Sequence, residues 1–157
     1  IGSAIGYRSI DAWQSATERY DIIVLRHVLE HHPAPVELLG QLRSRLMPHG
    51  TVAVEVPNRR SVWARIFGSD FFAYYVPRHL FHFDRDSLAR TFAAAGFARI
   101  RMTRGHTPLI GHSLGYRWRR EIDNLGLLGL ASFPAQILAD VIIGESSTLH
   151  VVARIDD

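Results

Sequence analysis

"YDIIVLRHVLEHHPAPVELLGQLRSRLMPHGTVAVEVPN", residues 20–58, is the stretch on which the fold turns. Tyr20 to Leu25 is a short, continuous apolar run rich in Ile and Val, the length of a strand covered on both faces. Pro33 and Pro35 then open a segment, Val36 through Leu46 and Met47, whose apolar residues recur at helical spacing. Pro48-His49-Gly50 reads as its stop, and Thr51 to Val56 as a second, β-branched strand ending at Pro57-Asn58. Strand, helix and strand with short joints make a parallel βαβ unit. In such sheets ligands bind beyond the carboxyl ends of the strands. The polar residues Arg26, His27, Glu30, His31 and His32 follow one such end, and Asn58 stands at the other.

Working outward, residues 59–83 are dense in aromatics, from Trp63 and Phe67 to Phe81 and Phe83, and read as hydrophobic packing more than as a base-stacking surface. Asp84 has N-cap chemistry, Ser87 to Ala95 is helical, and Gly96 is a C-terminal glycine. Residues 97–104, FARIRMTR, and 147–155, STLHVVARI, alternate as strands with one wet face and are expected to pair antiparallel at one sheet edge. Between them lies a helical insert, about 106–146, holding YRWRR (116–120) and LGLLGLASFPAQILADVII (125–143). Pro134, Asp140 and the glycines argue against a membrane span, and a helix apolar all round is normally buried. A packed insert is therefore expected, with membrane-surface or lipid-linked substrate contact through 116–143 as the other reading. Residues 1–157 read as a single domain.

Composition removes several chemistries. The 157 residues are 47% hydrophobic and 10% aromatic, enough for a core. All 18 basic residues are arginine, so a lysine Schiff base is excluded. Without cysteine there is no disulfide, thiolate nucleophile or Cys-ligated zinc. A net charge of +3 without a basic block does not favour nucleic acid. The start at Ile1 has neither Met nor the pattern of a signal peptide, so an incomplete N-terminus is expected, and the cysteine-free chain is compatible with the cytoplasm.

Residues 20–58, followed by "VPRHLFHFDRDSLARTFAAAGF" (76–97) and "GESSTLHVVAR" (144–154), resemble the second half of a class I S-adenosylmethionine-dependent methyltransferase. The similarity is to a bacterial group in which strand four runs into H-V-L-E-H and strand five ends in Pro-Asn, and it covers most of residues 9–157. The resemblance implies a Rossmann-like sheet of order 3-2-1-4-5-7-6. This chain would supply strand three, strands four and five in parallel, and an antiparallel six-seven edge. It also implies that Arg26, His27, Val28, Leu29 and Glu30 flank S-adenosylmethionine, with Asp11 as an adenine neighbour. The family's Gly-x-Gly-x-Gly loop and the acidic residue after strand two have no counterpart here. IGSAIGY, residues 1–7, lies too close to strand four for the intervening βαβ units, which take about thirty residues each. The segment before Tyr20 is read as strand three and its approach.

His27-Val28-Leu29-Glu30-His31 also spells the inverted zinc-hydrolase motif, but that motif needs a helix, which the flanking strand and prolines deny. A second resemblance is to small-RNA and ubiquinone-pathway O-methyltransferases, which carry Glu-x-x-Glu-His here as metal ligands. It implies a divalent-metal set of His27, Glu30, His31 and His79. Histidine in place of the first Glu would favour zinc, iron or manganese over magnesium. The favoured reading binds no metal: His27 packs beside cofactor while Glu30 and His31 cap the next helix. His31, His79 and His82 are candidate catalytic groups, the last two as general base or orienting groups or simply as loop histidines. Asn58 either orients substrate or closes the strand with an Asx turn. The expected function is methyl transfer to a small-molecule, lipid-linked or glycan-linked acceptor. The alternative is a non-catalytic remnant serving binding or homo-oligomerisation.

Overall fold

A computed structural model describes residues 18–118 and 125–155. Its sheet contains β1 (Tyr20–Arg26), β2 (Leu46–Pro57), β3 (Arg99–Gly105) and β4 (Thr148–Arg154) in the order β1-β2-β4-β3. β1 runs parallel to β2, while β4 is antiparallel to both β2 and β3. This is the 4-5-7-6 portion of the expected order, with the antiparallel edge in place. The carboxyl ends of β1, β2 and β3 therefore share one rim. Helices α1 (Pro35–Ser44), α2 (Val62–Phe67), α3 (Arg85–Ala94), α4 (Ile110–Trp118) and α5 (Leu125–Ile143), with 3-10 turns at Leu29–His31, Gly68–Asp70 and Phe72–Tyr74, complete the described elements.

One face of the sheet carries the main core. Leu25, Val52, Val54, Val56, Leu149, Val151 and Ala153 meet Leu38, Leu39 and Leu42 of α1 and Leu88 and Phe92 of α3. A second cluster, Ala64, Phe67, Phe71, Ala73 and Leu109, with Trp63, Phe72 and Tyr74 packed against it, absorbs much of the aromatic segment. Packing is thus what those aromatics do. The opposite face of β1 is open: Ile22 is 64% exposed and Val24 61%, so the expectation of a strand covered on both faces is wrong. The apolar run measures β-propensity and one buried face, which composition alone cannot distinguish from two.

The joint between α1 and β2 also differs from the sequence reading. α1 ends at Ser44, and Leu46-Met47 belong to β2 instead of the helix. Tyr20 N–H donates to the Arg45 carbonyl at 2.8 Å, and Leu46, 2% exposed, pairs with Tyr20. Pro48-His49-Gly50 forms an irregularity inside the strand, with His49 at φ 63°. A Cβ on Gly50 would lie 2.7 Å from the Met47 carbonyl oxygen, so only glycine fits that bend. The helix-period residues Leu46 and Met47 were thus claimed by pairing, which outweighs local spacing.

Asp84 begins α3 as expected. Its carboxylate accepts from Ser87 N–H at 2.8 Å, and Ser87 Oγ accepts from Asp84 N–H at 2.9 Å, a reciprocal capping box. Arg59 Nε adds a bond at 3.0 Å. Burial opposes ionisation, but the Ser87 and Arg59 donors outweigh it and hold the carboxyl at about 2. Gly96, at φ 85°, ends the helix where Phe97 N–H reaches back to the Phe92 carbonyl. Replacing Asp84 by Ala is expected to cost about 1–2 kcal/mol in urea unfolding at neutral pH. Since the folded value lies below the ordinary 3.8, the wild-type advantage is complete above about pH 5 and fades as pH falls through about 2.

Candidate functional site

The rim at the ends of β1 and β2 is set by register. Arg26 pairs with Glu55, and His27 N–H donates to the Glu55 carbonyl at 3.0 Å. His27 then turns the chain with φ 51°, and Leu29–His31 is a single 3-10 turn, so the segment is no zinc-hydrolase helix. Glu55, on the open face of the sheet, gathers three basic side chains: Arg26 Nε at 2.9 Å, His27 Nε2 at 3.5 Å and His150 Nε2 at 3.6 Å. Burial works against its charge, but the Arg26 bond and the surrounding positive groups lower its pKa. Gly105 makes room for this arrangement, since a Cβ there would strike His150 and Thr148. Sequence reasoning passed over Glu55. Its signal was the one acid in the alternating run TVAVEV, on the face shared with Thr51 and Ala53.

Glu30 is the second organiser and is wholly buried. Its Oε1 accepts from His27 Nδ1 at 3.1 Å and lies 3.9 Å from His79 Nε2. Its backbone carbonyl accepts from Leu80 and Phe81 N–H, fastening the aromatic segment to the strand end. Its Oε2 is buried without a hydrogen-bond partner. His31 Nδ1 bonds the Arg78 carbonyl at 2.9 Å, and His79 Nδ1 bonds the Ala73 carbonyl at 2.8 Å. A carbonyl can only accept, so each Nδ1 carries a proton, and in the neutral ring the lone pair falls on Nε2. Ligand atoms of Glu30, His31 and His79 all lie within 4.8 Å of one another. His27 stands outside that set, held by Glu30 and Glu55.

The remaining candidates are spread along the rim. His82 Nε2 bonds the Tyr74 carbonyl at 2.9 Å from an exposed position. Asn58 is buried with its amide committed at both ends: Nδ2 donates to the Ser146 carbonyl at 2.9 Å, and Oδ1 accepts from Arg60 N–H at 3.0 Å. That is the Asx turn, tied to the start of β4. Asn58 also borders a cleft of about 230 Å³ lined by Arg60, Arg85, Arg104 and Glu145. Arg26 is exposed, Val28 packs at the edge of the core, and Leu29 lies fully inside it. Asp11 and the segment read as strand three lie outside the described residues.

A family profile described as "Methyltransferase domain" matches residues 5–101, and the chain belongs to that family. Its fold is that of the class I S-adenosylmethionine-dependent methyltransferases. A SAM-dependent methyltransferase from Archaeoglobus fulgidus superposes with a TM-score of 0.55 at 17% identity over 96% of this chain and 66% of its own. One from Thermotoga maritima does so with a TM-score of 0.55 at 12% identity over 88% of this chain and 57% of its own. Phosphoethanolamine N-methyltransferase 2 of Haemonchus contortus, in complex with S-adenosyl-L-methionine, gives 0.52 at 14% identity, covering 88% and 34%. The chain thus spans less than two thirds of the length of these proteins. No curated protein matches it by sequence.

His27 and His79 are pushed in opposite directions around the same carboxylate. The Glu30 hydrogen bond raises His27 above 6.5 against the pull of burial, whereas burial lowers His79 below 6.5. His27 therefore stabilises the fold below pH 6.5 and loses that contribution as pH rises through its folded value, while His79 contributes above 6.5 and loses it on acidification. In chelator-treated protein, imidazole NMR titration is expected to place the two midpoints on opposite sides of 6.5. Glu30→Gln is expected to lower the His27 midpoint, because the charged bond partner is gone.

Proposed function

We propose that this chain is the acceptor-side part of an S-adenosylmethionine-dependent methyltransferase, acting on a small or lipid-linked molecule at the rim of β1, β2 and β3. The observation that carries the reading is the pairing of Arg26 with Glu55, which brings two parallel strand ends side by side before the chain turns at His27. The residues present fit one side of the cofactor: His27 and Val28 lie at the strand tip and are half-exposed, while Leu29 closes the core beneath them. When bound, the cofactor supplies an electrophilic methyl group on sulfur. The chain's own part is to wall the nucleoside and hold the acceptor, since an in-line displacement depends chiefly on proximity and orientation. The cleft is lined by Arg85 and Arg104 together with Asp86, Glu145 and an Arg60 already paired with Asp86, a mixed-charge lining that suits a polar acceptor. In this reading His82 and His31, each with one ring nitrogen held by a carbonyl, would take the proton of an acceptor that carries one.

Calorimetric titration of S-adenosylhomocysteine into this chain and into its full-length product tests the reading, with binding expected in the full-length product. Val28→Glu, which sets a carboxylate at the wall, is expected to weaken that binding about tenfold or more while leaving circular dichroism unchanged. Absence of binding to both chain and full-length product would end the enzyme reading and leave the remnant.

A metal at Glu30, His31 and His79 is a second reading, favoured by one observation: the buried Glu30 Oε2 with no hydrogen-bond partner. A buried carboxylate oxygen without a partner is costly, and a cation would satisfy it. The donor set, one carboxylate and two imidazoles oriented through Nδ1 by backbone carbonyls, suits zinc, iron or manganese. Such a metal would acidify an acceptor hydroxyl. Manganese titration, followed by water-proton relaxation, is expected to show one site in the wild type and none in Glu30→Gln.

A further inference from the structure

α5 has its polarity turned inside out. Ser132, Gln136 and Asp140, spaced four apart, form one stripe along the helix. Gln136 and Asp140 are fully buried. Gln136 accepts from Leu109 N–H at 3.0 Å and donates to the Thr107 carbonyl at 2.6 Å. Asp140 accepts from Trp63 Nε1 at 2.8 Å and is bonded to His106 Nδ1 at 2.9 Å. Ser132 Oγ is turned back onto the Gly129 carbonyl. The helix is thus fastened to the domain through its polar groups.

The side it shows to the outside is apolar. Leu127 is 73% exposed, Leu130 62%, Leu138 61%, Val141 59% and Ile142 75%. Ala131, Pro134 and Ala135 fill the gaps between them and are exposed as well. This overturns the expectation of a buried insert and gives a stripe roughly 22 Å long at 1.5 Å per residue. Isolated exposed leucines need no explanation, but a continuous stripe does. The neighbouring α4 ends in exposed Tyr116 and Trp118, rings that combine an apolar body with a polar tip.

Two candidates could cover such a stripe, a protein surface or lipid. Protein interfaces carry about one hydrogen bond per 100–200 Å², which fixes orientation. Of the polar side chains of α5, Gln136 and Asp140 are spent inside, and the partly exposed Ser132 donates to a carbonyl of its own helix. A fluid hydrocarbon needs no such bonds. The chain's net charge of +3 favours an anionic surface, while Arg117 at the end of α4 is itself held by Asp70. Among the described residues no helix is long and apolar enough to cross a membrane, so the fitting geometry lies in the plane of the surface.

We propose that α5, flanked by Tyr116 and Trp118, seats this domain on a lipid bilayer surface, with Leu127, Leu130, Leu138 and Ile142 entering the boundary between headgroups and acyl chains. Flotation of the chain with mixed phosphatidylcholine–phosphatidylglycerol vesicles tests it, read beside light scattering without lipid. The wild type is expected to float with the vesicles. Leu130→Glu and Leu138→Glu, each at an exposed position, are expected to lower the bound-to-free ratio about tenfold or more. Ile22→Glu, on the open face of β1, is expected to float as the wild type does, which separates α5 from general stickiness. A wild type that stays with the soluble fraction overturns the proposal, as does flotation unchanged in both α5 variants. A lipid-free dimer that either α5 substitution dissociates also overturns it, because the stripe would then be covered by a second copy.

Discussion

The parallel pairing of β1 with β2 is the constraint on which the rest of the molecule depends. Once Arg26 stands opposite Glu55, His27 must leave the sheet at the same height as Val56 and Pro57. Its left-handed turn follows, and with it the inward aim of Leu29 and Glu30. A slip of one residue would send Leu25 to the open face and Arg26 into the core. Leu25, Val52, Val54 and Val56 on a single face specify the register, so the burial of that face also positions the polar rim.

Around the rim, two carboxylates divide the work. Glu55 collects charge on the open face, while Glu30 holds together strand end, turn and aromatic segment from inside. Neither role is visible without coordinates. Glu30 receives Leu80 and Phe81 through its carbonyl and His27 through its side chain, so a single residue joins distant segments of the chain. One of its oxygens is left without a hydrogen-bond partner.

What could be read in advance followed local chemistry. Asp84 and Gly96 bracket α3 because capping depends on residues three and four apart. β3 and β4 were legible from alternation and β1 and β2 from their apolar, β-branched runs, and their order came with the family resemblance. The joint at Leu46 was not legible, because the Arg45 carbonyl is captured by Tyr20, more than twenty residues upstream. The inward stripe of Ser132, Gln136 and Asp140 was also readable as spacing, but its direction was not. Hydropathy counts residues without recording which side the fold uses, and Trp63 and His106, the partners that decide it, come from elsewhere in the chain. Histidine roles were hardest, since the carbonyls of Ala73 and Arg78 that settle each ring's tautomer leave no mark on composition.

The bare backbone at Gly105 governs a charge on the far side of the strand pair. His150 and Thr148 lie across it, and His150 reaches Glu55 from there. A relative that gains a methyl group at position 105 must displace that imidazole, and the acid opposite Arg26 then loses a neighbour. Positions 105, 150 and 55 are therefore coupled through contact, so that a side chain at the first alters the charge surroundings of the last.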